Sequence, residues 1–239
     1  IARIDNMTDA RRTSMKALVD SINAETYTPL SETLWEAYRY LSGQSVTYGN
    51  PSPAESPTQD LCAQDAACAT ASGTYISPFS IACQKAYIIY VTDGDPTNDN
   101  NADTATAGLP GIGTITGNPM DELAGWMHTH DVYAGLTGNQ TVVTFTVGFG
   151  SGISASGLQL LQDTATKGGG KYYTANAAGE LTSAIQGAII DALQVTTSFT
   201  APALSVNAFN TLFNRDDVYF SVFKPGSGER WDGNIKKYS

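Results

Sequence analysis

The sequence predicts an α/β fold, a doubly wound, mostly parallel sheet, followed by a C-terminal β-rich extension. Three observations carry this. Apolar, β-prone runs at residues 86–92 and 142–149 alternate with segments of helical period, and that order packs helices on both faces of a parallel sheet. The first run, Tyr87-Ile88-Ile89-Tyr90-Val91-Thr92, stops abruptly at Asp93-Gly94-Asp95. A buried parallel strand delivers a carboxylate in this way to the carboxyl edge, where open α/β sheets bind ligands. After Gln194 the helical period ends and short β-prone runs take over, among them Val218-Tyr219-Phe220-Ser221-Val222-Phe223.

In chain order, residues 9–22 read as a helix with Met15, Leu18, Val19 and Ile22 at i, i+3, i+4 and i+7. Thr28-Pro29 opens a second helix, with Thr28 as N-cap and proline at the first helical position. Leu30, Leu34, Ala37, Tyr38 and Leu41 form its buried stripe, and Gly43 ends it. Residues 44–82 have no regular period and carry four prolines and two cysteines. An excursion of that length inside a domain tends to be functional. The strand 86–92 follows, then a second polar, glycine-rich excursion at 98–118. Asn118-Pro119 caps the next helix, with Met120, Leu123, Ala124 and Met127 inward and Asp121 and Glu122 in the first turn, where the dipole favours them. Residues 142–149 are β-branched and aromatic. Residues 154–166 form a helix closed by Gly168-Gly169-Gly170, Tyr172-Tyr173 is a short strand, and 180–193 is a helix with Leu181, Ala184, Ile185, Ala188, Ile189 and Ala192 on one face. Residues 1–194 make one domain. Residues 195–239, with a turn at Pro225, Gly226 and Gly228, lead as β structure into another.

Composition narrows the function. The chain has 239 residues, 41% apolar and only 15% charged, and is rich in Ser, Thr, Ala, Asn and Gly, a flavour common in exported proteins. A net charge of −10 argues against nucleic acid, which needs a basic surface, and suits cation binding. No apolar run reaches the roughly 18 residues of a membrane span. The chain begins with Ile1 rather than Met, read as a native start lost through processing or truncation. Of the three cysteines, Cys62 and Cys68 lie in the first excursion and Cys83 just before the acidic strand. One disulfide stapling the excursion is favoured over three free thiols, with the pairing open, and points to an oxidising compartment. Three cysteines without a nearby histidine do not make a zinc site.

Several stretches resemble a known family. The strand ending in Thr92-Asp93-Gly94 and the Thr28-Pro29-Leu30 helix start resemble a von Willebrand factor A domain, which holds a divalent cation for adhesion. More narrowly, the run from Thr28 through Trp35 to Tyr40, then Cys83-Gln84-Lys85, then Thr146-Val147-Gly148-Phe149-Gly150 are similar to type IV pilus tip proteins of the PilC/PilY family. The tail, Arg215-Asp216-Asp217-Val218-Tyr219-Phe220 through Lys224-Pro225 to Trp231-Asp232-Gly233-Asn234-Ile235, resembles the family's entry into a C-terminal β-propeller. The resemblance implies an exported, non-enzymatic adhesin or biogenesis factor at the pilus tip or cell surface. Its partners would be minor pilins and a host or abiotic surface receptor, beside its own N-terminal segment and β-propeller. It implies a magnesium or calcium ion, with Thr28 giving a hydroxyl and Asp93 a carboxylate through water. An A-domain site also needs an Asp-x-Ser-x-Ser strand, which this chain lacks. That places the first strand, the first helix and the next strands upstream of Ile1, so this chain carries two of three metal-site segments.

Other readings compete. Asp95, Asp99 and Asp103, with Asn98, Asn100 and Asn101, have the oxygens of a calcium loop, but the spacing is not that of a twelve-residue EF-hand and no bidentate Glu closes it; a solvated loop is the plainer reading. His128 and His130 are two apart, poor spacing for joint ligation on a helix. Tyr38, Tyr40, Tyr172 and Tyr173 read as packing residues. Asp93-Gly94-Asp95-Pro96-Thr97 also fits the Asp-x-Asp-x-Thr motif of haloacid-dehalogenase-type phosphatases, with Asp93 as nucleophile and Asp95 as general acid, but no acidic pair ends a later strand. A third reading is an A-like domain without metal, serving as a rigid mount.

Overall fold

The computed structural model describes residues 6–20, 27–49, 68–70, 72–194, 199–204, 218–224 and 232–238. These fall in two compact units, residues 1–185 and 186–239, with the division inside a helix. The first unit is α/β, a three-stranded parallel sheet flanked by helices.

Its sheet has the order β1-β2-β3, from β1 (Lys85–Thr92), β2 (Thr141–Phe149) and β3 (Gly169–Ala175). Lys85 pairs with Thr141 and Thr92 with Gly148 along one junction, and Phe149 with Ala175 along the other. The middle strand is buried on both faces: Val142, Val143, Phe145 and Val147 are at most 2% exposed, as a central parallel strand requires. Alternation along the strands divides the core in two. Ala86, Ile88, Tyr90 and Val142 face the layer of α2 (Leu30–Ser42), α4 (Met120–Thr129) and α5 (Ala155–Lys167). Ile89, Val147, Phe149 and Tyr173 face α6 (Ala178–Gln194) through Leu181 and Ala184.

Most predicted elements are present within a residue or two. Met120, Leu123, Ala124 and Met127 are buried as expected, and the Asn118 side chain accepts the Met120 N–H at 3.1 Å. The first-turn acids Asp121 and Glu122 hold Lys167 from the end of α5, at 2.5 and 3.2 Å. Gly43 ends α2 with φ +66°, its N–H donating to Tyr40 O and that of Gln44 to Arg39 O, a left-handed cap that favours glycine. The glycine run after α5 is not only a terminator. Gly169 has φ +71°, and a Cβ there would run into the His128 ring, so β3 begins earlier than Tyr172 and needs glycine where α4 crosses it. His128 thus packs on that backbone, while His130 stacks on Trp126 at 4.9 Å.

Four expectations change. Thr28 does not cap α2: Pro29 occupies the N-cap position and gives no side-chain hydrogen bond, because the cap comes from elsewhere in the chain. The stripe of α1 (Asp9–Asp20) is not covered: Val19 is 64% exposed and Met15 half-buried, because no described element packs along it; the Leu18 side chain and Ile22 lie outside the described residues. The second excursion contains a short helix, α3 (Asp103–Ala107), with Ala102 and Thr106 buried. Ile189 is half exposed because it lies at the margin of a stripe centred on Ala188.

The described part of the first excursion folds over α2. Ser45 bridges to Thr74 and Ala69 to Tyr75, and Tyr40, Cys68, Ala69 and Tyr75 form a small separate core. Cys83 is an exposed free thiol; Cys62 lies outside the described residues. In the second unit, β4 (Phe199–Leu204), β5 (Val218–Lys224) and β6 (Asp232–Tyr238) form an antiparallel sheet in that order. Among the described residues no helix is long and apolar enough to cross a membrane.

Leu34 is fully buried where α2 meets the helical layer. Leu34→Ala is expected to lower unfolding free energy by about 3 kcal/mol, read as a shift in the urea midpoint at unchanged slope.

Candidate functional site

The site is the carboxyl edge of the sheet, and its geometry starts at the end of β1. Thr92 is buried, and its hydroxyl donates to Gly94 O at 3.0 Å while lying 3.4 Å from Gly94 N. This local ring turns the chain and leaves Asp93 exposed. The loop then runs to the start of α2. Thr28 and Thr97 form an antiparallel bridge, with Thr97 N donating to Thr28 O at 3.1 Å and Thr28 N to Thr97 Oγ1 at 2.7 Å. A Cβ on Gly94 would lie 3.9 Å from Thr28 Oγ1, so the Thr28 hydroxyl stands beside the residue that follows Asp93. The two residues that the sequence joins across a long interval are therefore on one edge.

Asp99 and Asp95 do something the sequence does not announce. Asp99 Oδ1 accepts the N–H of Ser31 at 2.7 Å and the Ser31 hydroxyl at 2.5 Å, with the Glu32 N–H at 3.4 Å. Its Oδ2 accepts from the Asn118 amide at 2.6 Å. These are the unsatisfied first-turn donors of α2, which a side-chain oxygen near the N-terminus ordinarily takes up. Asp95 serves α5 in the same way: its Oδ1 accepts the Ser154 N–H at 2.9 Å, and the Ser154 hydroxyl accepts from Gly157 N at 3.2 Å. A Cβ on Gly157 would collide with Asp95 Oδ1. Both helix N-termini thus point at the carboxyl edge and are neutralised by acids of one loop.

Two further acids, both buried, were missed as site residues. Glu32 is 4% exposed and accepts the Asn101 N–H at 2.8 Å. Glu36, one turn on and 5% exposed, accepts the Tyr48 N–H at 2.8 Å, the Thr47 N–H at 3.1 Å and the Tyr75 hydroxyl at 2.6 Å. Glu32 holds the second excursion to α2 and Glu36 holds the first. Burial, then the neighbouring Asp99, holds the Glu32 carboxyl above the usual range, and the same two causes raise Asp103. Burial, reinforced by Glu32, Glu36, Asp103 and Asp99, raises the Tyr48 phenol. Burial raises that of Tyr90, which donates to Leu30 O at 3.0 Å.

No family model, curated protein or solved structure matches this chain.

What remains at the edge is a pair of oxygen sites. Thr28 Oγ1 and the Asp93 carboxylate have no hydrogen-bond partner among the described residues. A hydroxyl and an exposed carboxylate are hard donors of the kind magnesium and calcium take, and they fit part of such a shell, the rest falling to water or a partner. Among the described residues no three His, Cys, Asp or Glu side chains gather as a metal site. Asp95 and Asp99 meet different helices rather than each other.

Asp99→Ala removes the cap and strands the Ser31 and Glu32 N–H groups. We expect a loss of about 2 kcal/mol in stability, measured by denaturant unfolding. Gly157→Ala is expected to destabilise by about 1–3 kcal/mol through overpacking on Asp95. Much of that cost should vanish in an Asp95→Ala background, a coupling read by a double-mutant cycle.

Proposed function

We propose that this chain is the A-like domain of an exported surface-binding protein of the type IV pilus tip, an adhesin and assembly factor that binds its partner with the help of a divalent cation. The observation that carries the reading is that Thr28 lies beside Gly94, the residue after Asp93, at one sheet edge, and that the Thr28 hydroxyl and the Asp93 carboxylate are uncommitted among the described residues. Few charged ligands leave a cation electrophilic enough to take a carboxylate from a partner as a further ligand. The acidic net charge suits cation binding, and the two excursions held on α2 supply variable surface near a rigid scaffold.

The edge of β1 supports the same reading. β1 is at the margin of the described sheet yet has a central strand's composition, and Val91 is 43% exposed. Edge strands are ordinarily blunted by charge, proline or a bulge, and after Lys85 this one has none of these. We propose that a further strand carrying the Asp-x-Ser-x-Ser element pairs there and completes the cation shell. The strands of residues 199–238 are read as the entry to a β-propeller, minor pilins and a surface receptor as the partners, and one Cys62–Cys68 bridge as the staple of the first excursion, since Cys83 is free. Intact mass should then rise on reduction by the increment of one bridge.

The metal-free mount is the second reading, favoured by the use of Asp95 and Asp99 as helix caps. The phosphatase reading asks Asp95 to act as general acid, and its hydrogen bond to Ser154 N turns one of its oxygens to α5 instead.

The test is retention of the protein on a receptor-bearing or abiotic surface in magnesium, in calcium and in chelator. Retention should fall in chelator, and Asp93→Ala or Thr28→Val should weaken the cation response roughly tenfold or more. Equal retention in all three conditions moves the assignment to the metal-free mount. Turnover of an aryl phosphate, abolished by Asp93→Asn, moves it to the phosphatase.

A further inference from the structure

The carboxyls that meet at the first turn of α2 have fewer protons available than acceptors. The Ser31 hydroxyl oxygen lies 2.5 Å from Asp99 Oδ1, 3.3 Å from Glu32 Oε2 and 3.5 Å from Asp99 O. A hydroxyl donates one hydrogen, so it serves only one of these oxygens fully. The remaining donors are the N–H groups of Ser31, Glu32 and Asn101 and the Asn118 amide, and each is already assigned.

Among the described residues, the titratable groups facing the pair add no positive charge. They are Asp103 from α3, Glu36 on α2 itself, Tyr48 from the first excursion and Tyr90 from β1. A negative charge on Glu32, 4% exposed and joined to Asp99 through the one Ser31 hydroxyl, is costly there, and Glu32 is the group that takes a proton. We propose that Glu32 holds a proton at the oxygen the Ser31 hydroxyl leaves without a donor, that this proton latches the acidic loop, residues 95–101, onto α2, and that the latch loosens when it is lost at raised pH. Asp99 belongs here to the α2 cap and not to a cation site, so the latch is independent of the function proposed above.

The direction follows from linkage. Burial and Asp99 raise the Glu32 carboxyl above its ordinary value. Such a group contributes stability that is fully present below its unfolded value and is lost as pH rises through its folded value. The loop is therefore tight in mild acid and looser above the folded value. Because Asp99 anchors the segment that also carries Thr97, loosening it frees the strip beside Thr28.

The test is hydrogen exchange at the Asn101 N–H in the full chain, corrected for intrinsic exchange, between about pH 5 and pH 9. In the wild type, protection should fall by up to about tenfold per pH unit above the midpoint. In Glu32→Gln the amide still accepts from Asn101 and donates toward Asp99 without titrating, so protection should be flat and higher at the alkaline end. The same slope in both proteins overturns the proposal. Should Glu32→Gln not fold, carbon-detected titration of the wild-type Glu32 side chain decides: a step above the ordinary carboxylate range supports the latch, and an ordinary step overturns it.

Discussion

The grip of Asp99 on the first turn of α2 is the contact on which the rest of the edge depends. One side chain joins the loop after β1, the N-terminus of α2 and, through Asn118, the start of α4. Without it the loop from Asp93 to Asn101 would be left with the Thr28–Thr97 bridge, the Asn101–Glu32 bond and a long contact from the Ser31 hydroxyl to Asp99 O on this side. The contact is strong for its size. It is charge-assisted, partly buried and aimed along the helix dipole, three conditions that each strengthen a hydrogen bond relative to a neutral one in water.

Asp95 repeats the device one strand over. The loop after β1 lies between two helices whose N-termini both face it, and it gives one carboxylate to each. For α5 this follows from the topology, since a helix after a parallel strand starts near the carboxyl edge; α2 follows no described strand and is tied there by Asp99 and the Thr28–Thr97 bridge. The consequence for function is subtractive. Of the acids in the run Asp93, Asp95 and Asp99, two are taken by structure, and Asp93 is left exposed with the Thr28 hydroxyl as its companion. The acidic loop that reads most plainly in sequence as a solvated loop, with the oxygens of a calcium loop as the alternative, is in the fold a pair of caps and one available carboxylate.

Much of the fold is legible in the sequence because local chemistry and burial agree there. The run from Tyr87 to Thr92 is apolar enough to declare a strand, although at the margin of the described sheet only Thr92 of it is buried, and Asn118-Pro119 before Met120 declares a helix start that the structure realises through the Asn118 side chain. The site is less legible. Thr28 before a proline reads as a cap, yet the cap is Asp99, 68 residues away from Ser31, and no local pattern encodes a contact of that separation. Glu32 and Glu36, one turn apart on a helix, carry no local sign of burial. They are buried because the two excursions fold over that face, a fact of tertiary context alone. The exposed stripe of α1 errs the other way: Val19 has the right period for burial, but period states which residues share a face and not whether anything covers it.

Asp99 and the first turn of α2 act energetically as one unit. A double-mutant cycle of Ser31→Ala and Asp99→Ala, with stability read by denaturant unfolding, measures that unit directly. The two side chains should show a favourable coupling of about 1–2 kcal/mol. Additive effects, within about 0.5 kcal/mol, would contradict it.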